Sequence, residues 1–215
     1  MIPSLSEFSD AIVLANLGLT ENQVRKAALF AHILHRENEN QNLTRILGVG
    51  EFVQGHLVDV VELLKQATLG TDVADIGSGS GVPGLLAAAI DTHPNRMWYL
   101  VESEIGKAEF LSLAIEEMNL SNAEVSHGRA EELVRIIAPD TVVARAVGAV
   151  EKIAGWISNC STWNNLILFK SRGWSDEWLL SQQSRFGKKL TITHTADYSN
   201  DHRTRFLVSL SRTKK

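Results

Sequence analysis

The sequence predicts an α/β fold: a parallel sheet with helices on both faces, closed by an antiparallel hairpin and preceded by a helical extension. Three observations carry this. Short apolar, strand-like segments alternate with helix formers from Asp72 to Phe169, the pattern of a parallel sheet with crossover helices. Two β-rich segments then end the chain, and the link between them is too short for a crossover helix, so they pair antiparallel. Nothing before Gln66 has the character of a sheet strand.

The extension, residues 1–66, reads as helix. Thr20-Glu21-Asn22-Gln23 is a capping box, and Val24, Ala27, Phe30, Ala31 and Leu34 follow at helical spacing. The polar run Glu37 to Asn42 ends that helix, and a further one is expected over Glu51 to Gln66. The second domain, residues 67–215, opens with the strand Asp72 to Ile76 and the helix former Gly84 to Ile90. Strand Met97 to Val101, helix Lys107 to Met118 and strand Ala123 to Ser126 come next. Strand Thr141 to Ala144, a helix near Val150 to Ile157 and strand Asn165 to Phe169 complete the alternation. Leu190 to His194 and Arg205 to Leu210 form the hairpin.

Between the first strand and its helix lies Asp75-Ile-Gly77-Ser-Gly79-Ser-Gly81-Val82-Pro83-Gly84. Glycines let a backbone turn tightly and approach a ligand without a Cβ clash. Pro83 suits the first helical turn, where a missing N–H costs little. Asp75 ends its strand, placed to hold the loop or reach a ligand ammonium. Ligands of open α/β sheets bind beyond the carboxyl ends of the strands. Gly79-Ser-Gly81-Val-Pro-Gly84 also satisfies the dinucleotide pattern, and both readings want an acid after the second strand to grip ribose, a role Glu102 fills. Three features favour S-adenosylmethionine over NAD: Asp75 before the first glycine, the terminal hairpin, and Arg129-Ala130-Glu131-Glu132 after the third strand. The outline is that of the class I S-adenosylmethionine-dependent methyltransferases, a Rossmann-like seven-stranded sheet ending in an antiparallel hairpin.

Further segments match a known family in order. These are Asn42-Leu43-Thr44, His56-Leu-Val-Asp59, the Asp75 to Gly84 loop with its Pro-Gly ending, Glu102-Ser103, His127-Gly-Arg-Ala-Glu131 and Ala144-Arg145-Ala146. With them the chain resembles the bacterial guanine-N7 methyltransferases of 16S ribosomal RNA, the small-subunit methyltransferase G family also called glucose-inhibited division protein B. The resemblance implies methyl transfer from S-adenosylmethionine to N7 of a guanine in the 530 loop of 16S ribosomal RNA, free or in the small-subunit particle. It makes Gly77, Val82, Ala130, Glu131 and Arg145 cofactor-contacting positions. Glu102 joins them on the ribose argument, and Asp75, Gly79 and Gly81 as parts of the loop. No catalytic residue is assigned, because guanine N7 has a lone pair and no proton, so attack needs no general base. Asp59 or Glu131 is a candidate acceptor for the cationic product base. The chain departs from the family in three places. Gly55 stands for an arginine, Lys107-Ala108-Glu109 for a basic cluster, and Lys170-Ser171-Arg172-Gly173 for Lys-Gly. Loss of basic residues leaves two alternatives open: a small-molecule methyltransferase on the same scaffold, or a non-catalytic module that binds S-adenosylmethionine.

Composition bounds the rest. The 215 residues carry a net charge of -4 and are 44% hydrophobic, enough for a sizeable core. Bulk charge therefore does not draw the chain to nucleic acid. A single cysteine, Cys160, excludes an internal disulfide and fits a cytoplasmic setting. The start lacks a basic region before an apolar run, so no signal peptide is expected, and no segment is long enough to span a membrane. No His/Cys spacing suggests a metal, and a monomer is expected. His56 reads first as a structural histidine, Cys160 as a core thiol, and Trp156, Trp163, Trp174 and Trp178 as packing residues. Arg185, Lys188, Lys189, Arg203, Arg205, Arg212, Lys214 and Lys215 form a C-terminal basic excess, read equally as a solvated face or a phosphate-facing one.

Overall fold

The computed structural model describes residues 2–200 and 203–213, so Lys214 and Lys215 of the basic excess lie outside the described residues. Helix α1 (Leu5–Leu14) starts at a capping box in which Ser4 and Glu7 satisfy each other's backbone N–H. Helix α2 (Glu21–Gln41) starts at the capping box read from the sequence: Gln23 N donates to Thr20 Oγ1 at 3.4 Å and Thr20 N to Gln23 Oε1 at 2.9 Å. It stops at Asn42, whose left-handed backbone (φ 51°) ends the helical path.

The helix expected over Glu51 to Gln66 is three pieces. A short α3 (Val49–Phe52) runs through a π-helical turn (Val53–Leu57) into α4 (Val58–Gln66). Such a turn shifts the helical register by one residue and commonly sits beside a functional site. Here it carries Gly55 and His56.

The sheet has seven strands: β1 (Asp72–Ile76), β2 (Met97–Glu102), β3 (Ala123–His127), β4 (Thr141–Arg145), β5 (Asn165–Lys170), β6 (Leu190–Asn200) and β7 (Arg203–Arg212). Their order is β3-β2-β1-β4-β5-β7-β6, parallel except where β7 enters antiparallel between β5 and β6. Alternation along each strand builds two apolar layers. Val73, Leu100, Val143, Ile167 and Leu207 face one; Ile76, Val101, Val142, Leu166 and Val208 face the other.

Helices α5 (Gly84–Ile90) and α6 (Ile105–Glu117) cover the first face together with the N-terminal helices. Phe8, Phe30 and Phe52 of the extension belong to the same apolar cluster as Leu85, Trp98 and Leu111. At roughly 1.5–3 kcal/mol for each large apolar side chain removed from water, that shared cluster is what seats the extension. The Gln23 side chain adds a 2.7 Å bond to the carbonyl of Ile90, where α5 ends.

Helices α7 (Ala130–Ile137) and α8 (Val150–Trp156) cover the second face. Neither α7 nor α9 (Trp174–Ser181) was legible as a helix: each is eight residues, too short for a clear period. The hairpin strands run longer than expected because β6 lies at the sheet edge, where exposed Thr193, His194, Thr195 and Asp197 dilute the apolar signal. Among the described residues no helix is long and apolar enough to cross a membrane.

Candidate active site

Beyond the carboxyl ends of β1, β2 and β4 lies a cleft of about 410 Å³. Of the nine positions proposed from the sequence, Gly77, Gly79, Glu102, Ala130, Glu131 and Arg145 line it. The loop after β1 begins with Gly77 in a left-handed conformation (φ 73°), where a Cβ would stand 2.3 Å from Val147 Cγ1. Gly79 is also left-handed (φ 53°), but a Cβ there would meet nothing closer than the Gly77 carbonyl at 3.7 Å. Gly77 is thus required by the protein's own packing, whereas Gly79 leaves a bare stretch of backbone on the cleft wall.

Glu102, at the end of β2, is buried and fixes this loop. Its Oε2 accepts from Gly79 N at 2.9 Å, and its Oε1 accepts from Ser103 N at 2.7 Å and Glu104 N at 2.8 Å. A carboxylate offers about four lone-pair sites. Three are used within the chain, and the carboxylate still borders the cleft.

The other three positions lie elsewhere. Gly81 does not face the cleft: it is buried, and a Cβ there would press on Leu85, Phe30 and Leu111, so it is the packing point for α2, α5 and α6. Val82 lines a smaller adjoining hollow of about 200 Å³ with His56, Ser80 and Arg145. Asp75 is wholly buried beneath the loop. Its Oδ2 accepts from Gly84 N at 2.9 Å, and a Cβ on Gly84 would collide with it at 2.6 Å, which explains the glycine after Pro83. Its Oδ1 finds no partner among the described residues. Burial drives the Asp75 carboxyl up to about 7, against the opposing pull of the Gly84 N–H.

Arg145, at the tip of β4, is where the extension meets the sheet. Its Nε lies 3.1 Å from Asp59 Oδ2, its Nη2 donates to the Gly55 carbonyl at 2.6 Å, and its Nη1 lies 3.2 Å from His56 Nδ1. Tyr198 of β6 donates to the other Asp59 oxygen at 2.8 Å. His56 Nδ1 also lies 2.9 Å from the Gly55 carbonyl, and its Nε2 lies 3.2 Å from Thr44 Oγ1. Burial and the neighbouring Arg145 charge hold the imidazole down to about 3, so it is neutral throughout the physiological range. The structural reading of His56 holds. Asp59 is 1% exposed and committed to Arg145 and Tyr198, so it is not placed to accept from a product base.

Sequence reasoning missed Ser103, Lys107, Gly128, Ala146 and Val147 on the cleft wall. Ala146 has a left-handed backbone (φ 59°), a conformation that costs a non-glycine residue about 1–2 kcal/mol. It follows directly from Arg145, whose three guanidinium nitrogens are all engaged with the extension. Trp156 reaches the cleft, whereas Trp163 is buried with its indole N–H on the Ile157 carbonyl. Cys160 is buried and free. No cluster of metal-binding side chains is present among the described residues.

Comparison with known proteins adds independent findings. A family model described as GidB, rRNA small subunit methyltransferase G, matches residues 23–206. The ribosomal RNA small subunit methyltransferase G of Rhodopirellula baltica is 34% identical over 173 residues, covering 80% of this chain and 74% of that one. Its counterpart in Marinobacter nauticus is 30% identical over 151 residues, covering 70% and 69%. Two solved structures share the fold. TrmK of M. capricolum, in complex with S-adenosylhomocysteine, has a TM-score of 0.55 at 15% identity, covering 73% of this chain and 68% of that one. A mutant of MtNAS in complex with S-adenosylmethionine has a TM-score of 0.57 at 16% identity, covering 98% and 78%.

Proposed function

The chain belongs to the rRNA small subunit methyltransferase G family, and from that premise and the geometry of its cleft we infer that it methylates N7 of a guanine in the 530 loop of 16S ribosomal RNA. The observation that carries the reading is that the family match, residues 23–206, contains every wall of the cleft together with Gly55, His56 and Asp59, the extension residues that hold Arg145.

S-adenosylmethionine supplies a methyl group already activated by its sulfonium. The cleft suits such a group. Its volume of about 410 Å³ lies in the ~300–1,000 Å³ range of small-molecule sites. Gly77 and Gly79 keep the wall bare, and Glu102 has acceptor capacity left for ribose hydroxyls. Ala130 and Glu131, at the first turn of α7, border the far side, where an adenine amino group would meet an acid.

Guanine N7 presents a lone pair and no proton, so the residues of this chain have to align and exclude water rather than remove a proton. Arg145 and the strained Ala146 form the rigid corner against which the base is presented.

The test is a chemical cleavage map of N7-methylguanine in small-subunit RNA, with and without the gene. One cleavage should vanish on deletion and return with the wild-type gene. An unchanged map overturns the ribosomal assignment.

A further inference from the structure

A second cleft opens on the other side of Arg145. Arg145 and Ala146 line both it and the cofactor cleft; its remaining walls include Lys170, Arg172, Trp174 and Arg205, and its volume is about 430 Å³. A third hollow of about 360 Å³ continues it, lined by Ser171, Arg172, Arg203, Thr204 and Arg205. The two hollows share Ser171, Arg172 and Arg205, so together they make one trough leading away from the methyl donor's position.

The trough gathers cations from two parts of the chain. Arg172 follows β5, while Arg203 and Arg205 begin β7. None of these three arginines makes an ion pair among the described residues, and the buried Arg205 Nε has no hydrogen-bond partner. The neighbouring Lys170 is different: it is 10% exposed and neutralised by Glu177 at 2.6 Å. It is spent on holding α9, and the charge it would otherwise offer is supplied by Arg172 two residues on. An arginine cluster without ion pairs among the described residues, in a chain of net charge -4, is a locally positive surface that the bulk charge does not supply. Guanidinium groups match phosphate oxygens in fork geometry.

We propose that Arg172, Arg203 and Arg205 bind the phosphodiester backbone of the RNA strand beside the target nucleotide, so that the base reaches the cofactor cleft past Arg145 and Ala146. This rests on the ribosomal-RNA reading and names where that RNA is held.

The test is binding of the full-length protein to 16S RNA-containing small subunits at several salt concentrations, alongside calorimetry with S-adenosylhomocysteine. Arg172 and Arg203 are exposed, so their replacement leaves the core intact. In Arg172→Gln/Arg203→Gln, RNA affinity should fall by roughly tenfold or more per arginine. The slope of log K against log salt should flatten by about 0.7 per arginine. Cofactor-product affinity should stay at the wild-type value, showing that the variant is folded. Arg172→Lys, which keeps the charge, should retain the slope. Undiminished RNA affinity and slope in the double variant, with the wild type still methylating small-subunit RNA, overturn the trough alone. A wild-type protein that transfers no methyl group to small-subunit RNA overturns the functional reading with it.

Discussion

Arg145 Nε lies 3.1 Å from Asp59 Oδ2, joining the tip of the fourth strand to the last helix of the N-terminal extension. Asp59 is 1% exposed, and the Arg145 side chain is 16% exposed. Two charges so far from water persist because each is met in full: Tyr198 takes the second carboxylate oxygen, and Gly55 and His56 take the remaining guanidinium nitrogens. The pair also fixes one wall of the cleft beyond the strand ends.

Removing both partners should therefore cost less than the sum of removing each alone. Arg145→Ala and Asp59→Ala should each lower unfolding free energy by about 3–5 kcal/mol, the cost of stranding a buried charge. The double variant should lose distinctly less than the sum. Additive losses in a denaturant double-mutant cycle would show that the two charges are solvated independently.

The neutral His56 predicts an acid-side loss of stability. Its folded value of about 3 lies below the ordinary 6.5. The unfolded chain therefore takes up a proton that the folded one refuses, and the stabilisation present above pH 6.5 is lost as pH falls. The slope is at most about 1.4 kcal/mol per pH unit, or roughly 2 kcal/mol between pH 6.5 and 5. Urea titrations of wild type and His56→Gln should converge over that interval. A constant offset between them would mean that the imidazole is hydrated in the folded protein.

The two cleft glycines should separate experimentally. Gly77→Ala meets Val147 and a positive φ together, so it should destabilise the fold and distort the loop. Gly79→Val brings its Cβ no closer than ordinary contact, 3.7 Å from the Gly77 carbonyl. It should cost only the left-handed conformation, about 1–2 kcal/mol, while its branched side chain fills the cleft and abolishes cofactor binding. Normal binding by a folded Gly79→Val protein, measured by calorimetry, would place the ligand elsewhere.

Glu102→Ala should have two effects. It strands the N–H groups of Gly79, Ser103 and Glu104 and removes the acceptor proposed for ribose. Affinity for S-adenosylmethionine should drop ten- to hundredfold, or about 1.5–3 kcal/mol, and thermal stability should fall with it. Undiminished affinity would take Glu102 out of the site.

Much of this was present in the chain alone. Alternation of strand and helix, the capping box at Thr20, the loop from Asp75 to Gly84 and the closing hairpin are local signals, set by dihedral preference and side-chain period, and they specify the seven-stranded fold and the cleft's position. What the chain alone could not show is where each side chain is spent. Gly77, Gly79 and Gly81 look alike in sequence, yet Gly81 packs against three helices while Gly79 faces the cleft. Arg145 reads as a cofactor-contacting position and does line the cleft, while its guanidinium is held by Gly55, ninety positions away in the extension. The C-terminal basic excess divides in the fold: Arg212 lies over Trp163 at 4.2 Å, whereas Arg203 and Arg205 join Arg172 in the trough. Periodicity along the chain determines which way a residue faces its own element. Burial, charge pairing and shared cavities depend on which distant elements arrive opposite it, and only tertiary packing decides that.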